Sequence, residues 1–306
     1  MDDHTLAEAT YRVARELGVV VEGILTTGSA TAVTDTNGLT QAASYWDDAS
    51  FWILRDSAEA GAAPEGEFAL VSSFTSSVAT LRNVTSPGSS ALSSAAAQGD
   101  RYALGKKRYP LHILIQKVNQ ALSELGTIPV TDKTTLDTAS PQTEYNLPLA
   151  ANTDLREVWI QGRTGDTDDN RWIKVENWSI ERTATGTQDI LILPFQYIAS
   201  RDIKLVYMDN HPELDDASDK ISESVHIDRV VGEAVVLALQ WRKQKVGLGD
   251  PTINEQLNLW LERRSDGASR LDSIRAKHPI LTPKRPKRYL VLGRVTEEDE
   301  FTYPTA

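Results

Sequence analysis

The residues with chemistry to offer are few and scattered. Five histidines, His4, His112, His211, His226 and His278, lie far apart, and no two share the spacing that sets two ligands on one helix face. Gly165-Asp166-Thr167-Asp168-Asp169-Asn170 has the alternating oxygens of a calcium loop. Arg171 stands where the sharp-turn glycine belongs, however, and Asn177 where the bidentate glutamate belongs, so a polar hairpin tip is expected. There is no cysteine, which excludes disulfides, thiolate metal sites and thiol nucleophiles. No nucleophile elbow, phosphate loop or dinucleotide fingerprint occurs. The carboxylates are plentiful but unpaired in sequence, which specifies no acid–base chemistry. The expectation is a protein that is not an enzyme and holds no metal or cofactor.

Charge is the other chemistry available. The net charge is −11, from 43 acidic against 32 basic residues, so a groove that grips nucleic acid is not expected, although an acidic surface can face DNA without holding it. Three basic clusters stand out. Arg242-Lys243-Lys245 ends a predicted helix, where the helix dipole stabilises cations. Lys106, Lys107 and Arg108 precede a helix, where the dipole offers nothing; they suit an acidic partner, a phosphate or plain solvation. Lys284, Arg285, Lys287 and Arg288 precede the strand-like run Tyr289, Leu290, Val291 and Leu292 near the C-terminus.

The elements that must position these groups are read from periodicity. Arg108 to Gly126 places Leu111, Leu114, Ile115, Val118, Leu122 and Leu125 on one helical stripe, with Pro110 in the first turn and Gly126 as the stop. A helix is expected over 3–17, capped by Asp2 or Asp3. Two more are expected over 218–246 and 251–277, the second opened by Asp250-Pro251. Short β-rich runs punctuated by Gly, Ser, Asp and Asn fill 19–107 and suggest a small barrel or sandwich. Within them Ser86 to Gly99 reads as a loop or flap. A second β unit spans 127–209, with an extended and irregular stretch over 129–149 and with Trp159, Trp172 and Trp178 as core candidates.

The expected organisation is α+β: a helical bundle built from distant segments (1–18, 108–126 and 210–278), two β-rich insertions (19–107 and 127–209) and an extended C-terminal arm (279–306). Four prolines and few periodic apolar residues set that arm apart. The helices are expected to form one packed bundle. The strand Tyr289–Leu292 is expected to add to a sheet edge in a neighbouring subunit or partner, with the basic block meeting carboxylates there.

The order of elements resembles the head-to-tail adaptor proteins of tailed bacteriophages. The matching residues are Gly99-Asp100-Arg101-Tyr102 before a Pro-started helix and Asn119-Gln120-Ala121-Leu122 within it. Further on they are Ile203-Lys204-Leu205-Val206-Tyr207, Pro212-Glu213-Leu214 and the helix carrying Glu233-Ala234. The resemblance implies a homo-oligomeric ring, a dodecamer, that docks on the portal protein, meets tail or nozzle proteins and continues the DNA channel. Genomic DNA would pass without specific binding, with no membrane involved, in a protein made in the host cytoplasm and placed at the virion neck. No catalytic residue is carried over. The β unit at 19–107 exceeds that of the smallest adaptors, which leaves room for another tail or baseplate role. The alternative from a different class is a β-sandwich carbohydrate-binding module, suggested by seven tryptophans.

Overall fold

The first β run, Val20–Ile24 (β1), and the next, Thr27–Gly28 (β2), are separated by Leu25 and Thr26 alone. They nevertheless stand at opposite ends of one seven-stranded antiparallel sheet. Its other members are Ala32–Thr34 (β3), Ser50–Arg55 (β4), Phe68–Thr75 (β5), Val78–Arg82 (β6) and Arg101–Gly105 (β7), in the order β1-β7-β4-β5-β6-β3-β2. Two residues can join the outermost strands only if the sheet curls until its edges meet, so the unit is a small barrel. Its interior is a core of Leu25, Val33, Phe51, Ile53, Val71, Phe74, Tyr102 and Leu104. Tyr102 stacks on Phe51, with centroids 5.8 Å apart, and its hydroxyl donates to Asp35 Oδ2 at 2.7 Å. Burial first, and then the Asp35 carboxylate, hold that hydroxyl well above the ordinary tyrosine range. Gly23 pairs with Tyr102 across β1 and β7, and a Cβ there would fall 2.6 Å from the tyrosine oxygen, so no larger residue fits.

The computed structural model describes residues 4–58, 60–84, 89–139, 141–152, 154–162, 171–182, 188–246 and 251–275. Among them are fourteen strands in three antiparallel sheets against four helices: Leu6–Glu16 (α1), Leu111–Glu124 (α2), Ile227–Val246 (α3) and Pro251–Arg275 (α4). The expected helical bundle with β insertions is therefore corrected to a mostly β chain. Strand β4 shows the reason. Phe51 and Ile53 point into the barrel, while Trp52 belongs to the same core as the helices, together with Phe68 of β5 and Ala103 of β7. Both faces of the central strands are buried, which is why their sequence reads as a continuous apolar run. The helical stripes cover the outside of a barrel. They do not form a free-standing bundle.

Within the helical layer α3 is the centre. Its residues from Val230 to Leu239 are buried almost all round, against α1, α2 and α4. Helix α1 is capped by Thr5, whose hydroxyl accepts from the Glu8 N–H at 3.3 Å; the cap expected at Asp2 or Asp3 lies outside the described residues. The helix expected from 218 starts only at Ile227. Residues 216–219 instead make a turn, after which the chain runs antiparallel to the start of α1: the Leu6 N–H donates to the Asp219 carbonyl and the Ile221 N–H to the His4 carbonyl, both at 2.9 Å. Ile221 is buried by that strand-like bridge and not by helical periodicity.

Gly126, at φ +94°, ends α2 and turns the chain into Thr127–Asp137 (β8). With Leu155–Gln161 (β10), Trp172–Val175 (β11) and Asp202–Asn210 (β14) it makes a four-stranded sheet, ordered β11-β10-β14-β8. A three-stranded sheet of Glu144–Asn146 (β9), Ser179–Glu181 (β12) and Ile190–Ile192 (β13) shares its core, which includes Tyr145, Val158, Leu191 and Leu205. The irregular stretch expected over 129–149 is thus largely strand. Pro129 and the polar run after it disguise β8, but an edge strand tolerates proline and faces water. The described part of the loop expected over 86–99 lies outside the named strands and helices, but it is anchored: Ala91, Leu92 and Ala96 are buried in the barrel core.

Asp202 of β14 sits directly across the ladder from Asp137 of β8. Burial first, and then the Asp137 charge, raise the Asp202 carboxyl above its ordinary value. A carboxyl raised in the folded state favours folding fully below the unfolded value, and that contribution is lost as pH rises through the folded one. Asp202→Asn is therefore expected to stabilise the protein near neutral pH, by on the order of 0.5 kcal/mol for a relieved like-charge pair. The gain should vanish below about pH 4, where the carboxyl is protonated. Thermal melts at both pH values check this; an equal gain at both removes the charge explanation.

Candidate interaction interface

Two charged patches of the described surface border α2. At the first, β7 turns into α2. The Lys106 N–H donates to the Val19 carbonyl at 3.0 Å, which ties the turn to the end of α1, and Lys106, Lys107 and Arg108 are all exposed. Tyr109 is buried directly after them and packs against Trp241 near the end of α3, with ring centroids 6.4 Å apart. This contact requires α2 and α3 to run antiparallel. It sets Lys106-Lys107-Arg108 beside Arg242-Lys243-Lys245, although the two clusters are far apart in sequence. Lys245 stands over the Trp241 ring at 5.1 Å, so one cation of the group is held by an aromatic face. Lys106, Lys107 and Lys243 form no salt bridge with any described carboxylate.

The loop laid along α2 is acidic. The chain leaving β14 reads Asp209-Asn210-His211-Pro212-Glu213-Leu214-Asp215-Asp216, and Glu213, Asp215 and Asp216 are exposed. Asn119 on α2 holds this segment like a strand partner: its amide donates to the Leu214 carbonyl at 2.9 Å and accepts from the Leu214 N–H at 3.0 Å. Leu214 is buried under that clasp. Asp219 accepts from the Asp215 and Asp216 N–H groups, both at 2.8 Å, which presents the loop as a compact turn. Between the loop and α2 runs an open groove of ≈ 610 Å³, with His112, Ile115, Gln116, Asn119 and Gln120 on the helix side, from its first turn onward, and Glu213 and Asp215 on the loop side. Glu223 and Asp228 add exposed carboxylates beside the start of α3.

A third feature lies on the outward face of the four-stranded sheet. Trp159 stands in register with Lys174 on one side and Lys204 on the other. The Lys204 ammonium is 5.0 Å from both the Trp159 and the Trp172 rings, and Lys174 is 5.4 Å from Trp159. Glu157 accepts the Trp159 indole N–H at 3.0 Å and pairs with Lys174. Of the core candidates, Trp172 is buried, with 8% of its surface exposed, beneath Lys204. Trp159 is only half-buried and is corrected, since alternation along β10 turns it from the shared core and lysine stems cover its ring. Trp178 does pack against the core.

Of the residues predicted from sequence, Lys106, Lys107 and Arg108 are in the basic patch just described. Lys284, Arg285, Lys287, Arg288, Tyr289, Leu290, Val291 and Leu292 lie outside the described residues, as does the polar tip at 165–170. Sequence reasoning gave Arg242-Lys243-Lys245 a structural role only and passed over the acidic loop. The density of carboxylates from Asp209 to Asp219 was the available signal. Among the described residues, no group of three or more His, Cys, Asp or Glu side chains is placed to hold a metal ion, and no helix is long and apolar enough to cross a membrane. Comparison of the chain with protein-family models and with curated protein sequences returns no match.

Proposed function

We propose that this chain is a structural protein of a tailed-bacteriophage virion, a head-to-tail adaptor whose copies form a ring between portal and tail. The observation that carries the reading is the Asn119 clasp on Leu214. It joins two of the sequence stretches on which the resemblance rests, and it does so as a structural joint. A third such stretch behaves alike: Asp100 is fully buried, and its carboxylate accepts the Ser57 N–H at 2.9 Å and the Ala97 N–H at 2.7 Å. Residues matching an adaptor are here used to brace loops against the barrel and helices. That suits a protein whose task is to hold shape under load.

On this reading genomic DNA passes through the ring without sequence-specific contact, and the C-terminal residues 279–306 reach a neighbouring subunit or the portal. Native mass spectrometry and negative-stain imaging test the reading: rings of about a dozen copies support it, since closed homo-oligomers repeat one interface. A monomer or dimer at micromolar concentration overturns it. Deleting 279–306 is expected to leave the melting temperature of the body unchanged and to reduce the ring fraction. Rings as abundant as those of the full chain would remove the proposed role of that segment.

A further inference from the structure

The basic turn before α2 and the acidic loop laid along α2 carry opposite charge, and each keeps exposed charges without an ion-pair partner among the described residues. Lys106, Lys107 and Lys243 have no described carboxylate within salt-bridge distance, and the same holds for Glu213, Asp215, Asp216 and Glu223 toward described cations. Nor do they pair with each other within one chain, although the loop lies along α2 and the basic residues precede that helix.

We propose that these two patches are the two halves of one self-association interface: the basic patch of one copy docks on the acidic loop and the adjoining groove of a second copy. Copies of a chain with net charge −11 repel one another over most of their surface, so contact is favoured only where a local cationic patch meets carboxylates. The basic patch is the place where the fold assembles cations from two distant segments. The groove beside Asn119 offers what lysine side chains need, an apolar wall at Ile115 for the methylene stem and Glu213 and Asp215 for the ammonium. Because donor and acceptor patches differ, the contact is heterologous. Repeated from copy to copy, it closes into a ring or runs on as a filament. The inference deepens the ring reading by naming the surfaces involved, but it stands on charge and geometry and fails separately.

Charge reversal on the full chain tests it. Lys107→Glu with Lys243→Glu, and separately Asp215→Lys with Asp216→Lys, are expected to weaken association about tenfold or more, the loss of close charge pairs. Lys107, Asp215 and Asp216 are exposed and Lys243 is half-buried, so unchanged melting temperatures are required to certify that both variants fold. A chain carrying all four substitutions should assemble again, and so should an equimolar mixture of the two double variants, with the two variants alternating around the assembly because only unlike copies attract. Cross-linking gives an independent readout, since the chain has no native cysteine: Lys107→Cys protein mixed with Asp215→Cys protein should form a disulfide-linked heterodimer. Rings that form equally well in the reversed variants overturn this interface and leave the ring reading standing. Reversal-sensitive association that yields only open chains keeps the interface and overturns the adaptor. Wild-type protein that stays monomeric at low ionic strength overturns both.

Discussion

Val231→Asp should abolish the folded state. Val231 lies on α3 with 6% of its surface exposed, beside Val230 and Ala234, which are fully buried, in the core shared by all four helices and the outer face of the barrel. No described cation is buried in that core to pair with a new carboxylate. The charge must stay unpaired, take up a proton or draw water in, and each route costs several kcal/mol. Domains of ordinary stability hold only ~5–15 kcal/mol in total. Val231→Ala is the control: it loses two methyl groups without adding charge, costs ~1–3 kcal/mol and should stay folded. Circular dichroism melts of the three proteins decide the matter. A Val231→Asp protein melting with the wild type would mean that this face of α3 is not a core.

Trp52→Ala should cost ~3–5 kcal/mol, the usual range for a large aromatic removed from a packed interior. Its consequence for cooperativity matters more. Trp52 is 1% exposed on β4, but its indole N–H donates to the Thr10 hydroxyl of α1 at 3.2 Å, and Tyr11 meets it edge-on at 6.3 Å between centroids. Gly105 on β7 leaves the room it needs, since a Cβ there would lie 2.9 Å from the indole ring. One side chain thus joins barrel and helices. Its loss should lower the helical and the β signals together in a single transition at a lower temperature. A variant in which helical ellipticity outlasts the β signal would show two separate bodies, the architecture that the sequence alone suggests and the fold contradicts.

What the sequence determined by itself is local. The three- and four-residue spacing of Leu111, Leu114, Val118 and Leu122 and the glycine at 126 are enough for α2 and its end, because helix periodicity and a left-handed stop are properties of neighbouring residues. The runs around β4, β5 and β10 are legible for the same reason. Periodicity says that a face is apolar and not what covers it, and here the cover for the helices includes Trp52, Phe68 and Ala103 of the barrel. Strand β8 was hidden because an edge strand with Pro129 and a polar outer side has no apolar signature, and only β14 beside it makes it a strand. The Asn119–Leu214 clasp and the basic patch formed by Lys106-Lys107-Arg108 with Arg242-Lys243-Lys245 join segments far apart in sequence, through the packing of Tyr109 on Trp241 and of α2 against α3. Pairings of that kind are decided by which surfaces bury best together, a property of the whole chain that no local window contains.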